Sequence, residues 1–467
     1  MTLSKKIRQL CLTTALSAVL VLGANSSFAQ EGADHTIKTL RDALAIGVST
    51  NPEYGVVAAS RRATDEELNQ GEALFLPSID LNGEIGYEYT DSPSTRSGAS
   101  SDTEDLTRKQ IGITLTQMLF DGFDAHYEVK RQEARVKSSA DRVRETTEFV
   151  GLSIVESYLE VLRQRKLLGI ARENVSSHKR IKSQIHDSIH AGRSTKADGS
   201  QVNARLAAAR AAEASTLESL RIAEAEYRRE VGDVAGDLQM PVVPYEALAE
   251  DVEAEVEYAL ANSPTLDVFA SDIEVAYAEA QGTKSTQYPQ IDLQLNANSA
   301  EDVNGVQGHD ESASALVVMN WNLYRGGADV ARAREFVHRH QQTKEERSQG
   351  ERNLENDVRQ TWASMVASAK RAAQFSSQAV SNRNVVRAYK DQFSLDRRTL
   401  LDVLDAQNEL FVSRSNTINA EFVEMFAIYR LMALKGNLLP TMDIEYPRET
   451  VVNANAEWPY QARQDAR

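Results

Sequence analysis

The chain has 467 residues, with 52 Lys and Arg against 68 Asp and Glu, a formal net charge of -16, and one cysteine. Nucleic-acid binding depends on neutralising phosphates, so a chain this acidic is a poor candidate for it. One cysteine provides neither an internal disulfide framework nor a cluster of thiolates for a metal ion.

Residues 1–29 have the three parts of a secretory signal peptide. Basic residues precede an apolar run from Leu10 to Leu22, and small residues follow, ending at Ala29. The apolar run is shorter than the roughly 20 residues of a membrane helix, so we predict that it is removed and that the mature chain begins at Gln30. Cys11 lies at the start of the apolar run and does not follow it, which is the wrong position for a lipidated N-terminal cysteine.

Ordered matches between the two halves of the chain indicate a tandem duplication. The matched segments are LPSIDL at 76–81 with YPQIDL at 288–293, MLFDGFDA at 118–125 with NLYRGGAD at 322–329, and TKADGSQVNARL at 195–206 with TLLDVLDAQNEL at 399–410. From Gly122 and its counterpart Gly326 onward, the offset is constant. We therefore predict two structural repeats of one fold, over residues 30–232 and 251–437.

The first repeat changes from helical to alternating periodicity and back. Helices are predicted over 36–50 and 53–74, followed by a β-hairpin over about 77–120 with a long polar loop. A long helix over about 122–190 keeps apolar residues at a spacing of seven, and a return helix follows over about 197–231. At 1.5 Å per residue, the long helix is on the order of 100 Å in length.

The second repeat follows the same order. Its β-hairpin is predicted over about 289–324, its long helix over about 328–393 and its return helix over about 400–435. The proline-containing segment 233–250 separates the repeats and is expected to form an equatorial surface belt. The tail, 438–467, lacks periodicity and is expected to wrap around the helices or to be disordered.

Both hairpins are apolar on one side and polar on the other, which is typical of strands with lipid outside and water inside. After residue 29, no apolar run is long enough for a membrane helix. Four strands cannot close a barrel, and open sheet edges cannot face lipid. We therefore expect several chains to build one barrel, continued by their long helices. The long helices alone would also fit an ordinary coiled coil.

The duplicated order of elements, the prolines ahead of the strands and TLLDVLDAQNELF at 399–411 resemble the TolC family of outer-membrane factors over essentially the whole mature chain. The resemblance implies an α+β membrane protein that forms a homotrimer. Its four strands per protomer would make a twelve-stranded transmembrane β-barrel in outer-membrane lipid, continued by a periplasmic α-helical barrel.

The resemblance also implies a gate at the periplasmic end. Asp402 and Asp405 would form rings of carboxylates, and closely spaced like charges attract cations and raise carboxyl pKa values. Arg398 matches the family's gate arginine and Asp198 its carboxylate partner, a pair that would latch the closed mouth. Phe393 stands where a gate tyrosine is usual. Without the resemblance, each charge would be assigned to a solvated helix face.

The turns of the two helical hairpins are expected to contact a periplasmic adaptor protein. Gly192 and Arg193 lie at the first turn, and Asp396 and Arg397 at the second. Gly192 keeps a turn glycine usual in the family, whereas Asp396 replaces it in the second repeat. We expect adaptor binding to spread the helices and break the latch.

In function, the resemblance implies a passive channel that receives cargo from an inner-membrane transporter and a periplasmic adaptor. The absence of a lipidation cysteine and the segment 399–411 favour type I protein secretion, driven by an ABC transporter, with an RTX-type adhesin or toxin as a possible cargo. The alternatives are the outer-membrane component of a tripartite drug or metal efflux pump, with a proton-driven partner, and a structural coiled-coil surface protein.

An enzyme is not indicated. The chain has no phosphate-binding glycine loop and no GxSxG motif. His186 and His190 are spaced i, i+4, and His178 could approach the same helix face, but no carboxylate motif such as HExxH accompanies them. We therefore predict no catalytic residue, no cofactor and no metal site.

Overall fold

The computed structural model describes residues 38–91, 104–395 and 397–452; the predicted signal peptide and residues 453–467 lie outside these ranges. The first repeat comprises α1 (Leu40–Thr50), α2 (Pro52–Ala73), β1 (Ser78–Thr90), β2 (Glu104–Phe120), α3 (Asp124–His190) and α4 (Lys196–Val231). The second comprises α5 (Val252–Asn262), α6 (Pro264–Gly282), β3 (Gln290–Val303), β4 (Val306–Asn320), α7 (Ala328–Ser394) and α8 (Leu400–Leu434). A short helix, α9 (Leu438–Thr441), follows.

The first two helices begin where side chains satisfy their free backbone N–H groups. Thr39 and Asp42 form a reciprocal capping box, so α1 starts at Leu40. Asn51 caps α2 by accepting a hydrogen bond from the N–H of Glu53, and Pro52 occupies the first helical position, where its fixed φ is favourable.

The four strands form one antiparallel sheet in the order β1-β2-β3-β4. Strands β2 and β3 join the two repeats, with Lys109 opposite Glu301. One face of the sheet is apolar across all four strands, and Ile85 on this face is 78% exposed. The registers align Ile79, Leu81, Ile111, Ile113, Leu115, Leu293, Leu295, Ala297, Ala313, Ala315, Val317 and Met319 on that face.

The two long helices have 67 residues each but differ in burial. Helix α3 contacts α2, α4, α6 and α8, and 28 of its residues are buried. Helix α7 contacts α5, α6 and α8, and only eight of its residues are buried. The repeats therefore share one fold but differ in role, because α3 forms the core of the protomer while α7 keeps a broad free surface. Among the described residues, no helix is both long enough and apolar enough to cross a membrane.

The segment between the repeats is attached to the helices by buried polar contacts. The Tyr158 hydroxyl donates to the carbonyl of Gln239 at 2.6 Å. The Lys435 ammonium donates to the carbonyl of Ala247 at 2.6 Å and lies 2.8 Å from the carboxylate of Glu255. Lys435 and Glu255 are both almost fully buried, so removal of either partner would leave a buried charge unpaired.

The described part of the tail packs onto α3 around Glu148, whose side chain is fully buried. The N–H of Leu438 donates to this carboxyl group at 3.0 Å. The Tyr446 hydroxyl lies within hydrogen-bonding distance of the same group and 2.9 Å from the carbonyl of Gly436. One hydroxyl proton cannot serve both acceptors, whereas a protonated Glu148 could donate to Tyr446 and free its proton for Gly436.

Burial raises the pKa of Glu148 to about 7, from an ordinary value of 4.5, despite the hydrogen bonds from Tyr446 and Leu438. The unfolded chain loses this proton at lower pH than the folded chain does. Glu148 therefore favours the folded state fully below about pH 4.5, and this contribution is lost as the pH rises to about 7.

We expect Glu148→Gln to remove this pH dependence, because the amide keeps a donor for Tyr446 and an acceptor for Leu438. Thermal unfolding in detergent should show wild-type stability falling by about 3 kcal/mol between pH 4.5 and 7, and a flatter profile for the variant. The control is Glu156→Gln, on the exposed face of the same helix. Parallel profiles for wild type and Glu148→Gln would contradict the assignment.

The turns from sheet to long helix depend on glycine for different reasons in the two repeats. Gly122 and Gly326 both have left-handed backbones, with φ of 73° and 64°. A Cβ atom at Gly122 would lie 2.6 Å from the carbonyl oxygen of Ser285, whereas one at Gly326 would meet open space. Only the first turn is pressed against the other repeat.

We expect Gly326→Ala to lower the free energy of unfolding by about 1 to 2 kcal/mol, the cost of a left-handed alanine. Gly122→Ala should cost about 1 to 3 kcal/mol more, because Ser285 must also move. Thermal unfolding of the two variants in parallel measures the difference. Equal losses would show that the contact with Ser285 is unimportant.

Candidate functional site

The turns of the two helical hairpins share one backbone hydrogen bond at equivalent positions. In the first turn, Gly192 has a φ of 75°, and the N–H of Arg193 donates to the carbonyl of Ser188 at 2.9 Å. In the second, the N–H of Arg397 donates to the carbonyl of Gln392, also at 2.9 Å. We refer to residues 181–206 as the first tip and residues 386–410 as the second tip. Asp396 lies outside the described residues.

Each return helix begins with a capping box at its tip. Asp198 accepts hydrogen bonds from the N–H and hydroxyl of Thr195, at 2.8 and 2.9 Å. Asp402 accepts the equivalent bonds from Thr399, at 3.2 and 2.7 Å. Asp198 and Asp402, two of the predicted gate carboxylates, therefore occupy equivalent positions in the two repeats. Each completes the capping box in the first turn of its return helix, α4 or α8.

In the single chain, the pKa of Asp402 is lowered instead of raised. The hydrogen bond from the Thr399 side chain is the main cause, followed by the backbone bond from Thr399 and the nearby charge of Arg398. Because hydrogen bonds to a carboxylate favour its charged form, the capping role opposes the shift that we expected from ring repulsion. The expected rise in pKa belongs to a ring of carboxylates in a trimer, so it stays a prediction.

Arg398 is held within its own hairpin. Its Nε–H donates to the side-chain carbonyl of Gln392 at 3.1 Å, and its guanidinium lies 4.3 Å from the ring centroid of Tyr389. One guanidinium nitrogen is 3.8 Å from Asp402. Within the described part of the chain, Arg398 and Asp198 do not bond to each other. The predicted latch between them is not formed inside this protomer.

Asp405, the other predicted gate carboxylate on α8, forms an ion pair that was not predicted from the sequence. Its Oδ1 atom lies 2.8 Å from a guanidinium nitrogen of Arg205 on α4. Tyr389, the cation–π partner of Arg398, was also missed. Arg205 and Tyr389 have no repeat-related counterparts of the same chemistry, because Glu409 stands at the position equivalent to Arg205 and Ile185 at the position equivalent to Tyr389.

An apolar cluster joins the two tips. It consists of Ile181, Ile185, Val202, Leu400, Val403 and Leu404, each no more than 5% exposed. Phe393 and Tyr389 pack against it. Phe393, which is predicted to stand at the position of the family's gate tyrosine, thus packs against apolar side chains, where a hydroxyl group would need an additional partner.

The histidines of α3 do not form a larger ligand set. The Nε2 atoms of His186 and His190 are 3.3 Å apart on an exposed surface, whereas His178 is 4% exposed. In the described ranges, no three or more His, Cys, Asp or Glu side chains are grouped to hold a metal ion.

An antiparallel sheet with one exposed apolar face, continued by two helical hairpins that each contain a 67-residue helix, is the architecture of an outer-membrane channel with a long periplasmic helical extension. The chain belongs to the outer membrane efflux protein family, whose sequence profile matches residues 48–232 and 256–436. The two matched segments correspond to the two repeats. The resemblance to the TolC family and the location in the outer membrane are confirmed.

Bacterial relatives match most of the chain. Outer membrane efflux protein BepC of Brucella suis biovar 1 is 23% identical over 402 residues, which cover 86% of each chain. Alkaline protease secretion protein AprF of Pseudomonas aeruginosa is 21% identical over 419 residues, covering 87% of this chain and 86% of AprF. The solved CmeC outer membrane channel of Campylobacter jejuni has a TM-score of 0.75 at 12% identity, covering 88% of this chain and 87% of CmeC.

Members of this family are passive outer-membrane channels and not enzymes. They work with periplasmic adaptors and inner-membrane transporters in tripartite systems. The general function of an outer-membrane export channel therefore applies to this protein.

We expect Leu404→Ala to loosen the second tip, because it removes a fully buried side chain from the apolar cluster. The cost should be about 2 to 5 kcal/mol, seen as faster amide hydrogen exchange in the first turns of α8. Leu401→Ala is the matched control, since Leu401 is 45% exposed on the same turn. Equal exchange in both variants would mean that the cluster does not hold the tips together.

Proposed function

We propose that this protein is the exit duct of a type I secretion system and acts as a homotrimer with a twelve-stranded barrel. The observation that carries the channel is the sheet with one apolar face, joined directly to helices of 67 residues. The likeness to AprF, whose name assigns it to secretion of an alkaline protease, supports protein secretion.

Two features of the single chain support the trimer. Strands β1 and β4 are the edges of the sheet, and an open edge in lipid leaves backbone N–H and C=O groups without partners. Helix α7 has only eight buried residues, although its counterpart α3 has 28. Neighbouring protomers would pair the strand edges and cover α7.

The tips are proposed to form the periplasmic mouth. Asp402 and Asp405 would face the tunnel as two rings of carboxylates, and Arg398 would reach Asp198 of a neighbouring protomer in the closed state. Among the residues that the structure describes, Arg398 and Asp198 each bond only within their own tip. Phe393 would support the gate through the apolar cluster.

A periplasmic adaptor would engage the turns at Gly192, Arg193, Asp396 and Arg397. It would be anchored to an inner-membrane ABC transporter, which supplies the energy that a passive channel lacks. Spreading of the tips would open the mouth for an unfolded protein cargo, such as a repeat-rich adhesin or toxin.

A second candidate is the outer-membrane component of a drug or metal efflux pump. The likeness to BepC, which is named an outer membrane efflux protein, favours it. The two functions use the same channel and differ in the transporter behind it. Deletion of the gene separates them: loss of a large protein from the medium indicates secretion, whereas increased drug sensitivity with unchanged secretion indicates efflux.

The channel itself is tested by native mass measurement and planar-bilayer recording of the detergent-extracted protein. We expect a trimer with low conductance that prefers cations, because carboxylates line its closed mouth. A monomer, or a trimer without pore activity even after Arg398→Ala and Asp198→Ala, would contradict the proposed function.

Replacing both Asp402 and Asp405 by alanine should reduce the preference for cations several-fold, since six carboxylates would leave the mouth of the trimer. The reversal potential in asymmetric KCl measures this preference. The control is the pair Asp233→Ala and Asp237→Ala in the segment between the repeats, which changes net charge equally at exposed positions. Unchanged selectivity in the tip variant alone would remove these carboxylates from the gate.

A further inference from the structure

We propose that Arg205 makes the ion selectivity of the mouth depend on its opening. Arg205 covers the charge of Asp405 while the two tips are together and releases it when they separate. The channel would then gain cation preference as it opens. This inference rests on the proposed function, because it requires that Asp405 faces the conducting path.

The Arg205–Asp405 pair connects the two repeats across the tips. Arg205 lies on α4 and Asp405 on α8, with 2.8 Å between the guanidinium nitrogen and the carboxylate oxygen. Through the part of the chain that the structure describes, this is the sole side-chain hydrogen bond or ion pair between these two helices. Separation of the tips must therefore break it.

The pair lies at the edge of the apolar cluster. Val202 precedes Arg205 by one helical turn, Leu404 is adjacent to Asp405, and both apolar side chains are fully buried. Moving α8 away from α4 exposes these side chains and separates the two charges in the same motion. The ion pair is therefore intact only while the apolar cluster holds the two tips together.

The two carboxylates of α8 differ in what holds them. Asp402 is bonded to Thr399, the residue that caps its own helix, so its surroundings move with α8. Asp405 is bonded to a residue of the other repeat. Opening therefore changes the charge balance around Asp405 and leaves the capping interaction of Asp402 intact.

Beyond the second tip, toward the C-terminal end of α8, polar contacts hold this helix against α3. Arg414 pairs with Glu173, and the side-chain carbonyl of Asn419 accepts a hydrogen bond from Arg163 at 2.9 Å. These contacts keep α8 attached above the tip. In the proposed opening, these contacts would remain while the tip moves outward.

The geometry also predicts how the net charge around the mouth changes when the channel opens. In the closed trimer, three guanidinium groups would offset three Asp405 carboxylates. After opening, the carboxylates would remain on α8 without that compensation, and three like charges around one opening attract cations more strongly. Both side chains are partly exposed, at 40% and 51%, so the pair is accessible to solvent ions and is weakened by salt.

The test uses the full-length trimer in planar bilayers, with conductance and reversal potential measured in asymmetric KCl. Arg205→Ala and Arg205→Gln should each raise conductance and cation preference several-fold. The exchange variant Arg205→Asp with Asp405→Arg should restore the low conductance of the wild type, because it rebuilds the pair with reversed charges. Arg210→Ala, an exposed arginine farther along α4, is the matched control.

Native mass measurement first establishes that each variant is a trimer. A conducting wild type with unchanged conductance and selectivity in both Arg205 variants would overturn this inference alone. Failure of the exchange variant to restore low conductance would also overturn it. A wild type without pore activity would instead overturn the proposed function, and the inference with it.

Discussion

The rest of the structure depends on the packing around α3. This helix contacts α2, α4, α6 and α8, and the tail folds back onto it at Glu148. Small and β-branched side chains such as Ala140, Val143 and Ile154 are fully buried along it, so neighbouring helices approach closely over a great length. Helix α7 has the same length but far fewer buried residues, so the duplication has produced two helices of equal length with different roles. Helix α3 forms the core of the protomer, and α7 leaves most of its surface exposed in the single chain.

The tips combine two kinds of stabilisation that respond differently to solvent. The apolar cluster around Val202 and Leu404 is non-directional and is not screened by salt. The surrounding polar contacts, including Arg398 with Tyr389 and Arg205 with Asp405, are exposed and individually weak. The cluster therefore supplies most of the cohesion of the joint, while the charges determine which ions and which partners approach it.

The sequence predicts most of the fold because its periodicities are long and occur twice. The boundaries of the hairpins and long helices follow from proline, glycine and alternation, and α1 begins a few residues later than predicted because Thr39 caps it. The site is harder to predict. Asp402 is recognisable from the segment 399–411, but its capping role and lowered pKa depend on local geometry. No sequence motif identifies Arg205 or Tyr389 as a site residue, because their partners are brought to them by tertiary packing.

The register of the sheet has a consequence for the order of folding. Strands β1 and β2 pair locally, and so do β3 and β4, but β2 must find β3 across a separation of 192 residues between Lys109 and Glu301. Contacts this distant form slowly, since the intervening chain must first be organised. Until then, the inner edges and the apolar face of each hairpin are open to aggregation. Newly exported chains of this protein are therefore prone to aggregation in the periplasm until β2 and β3 have paired. A holding chaperone or rapid contact with lipid would shorten this period.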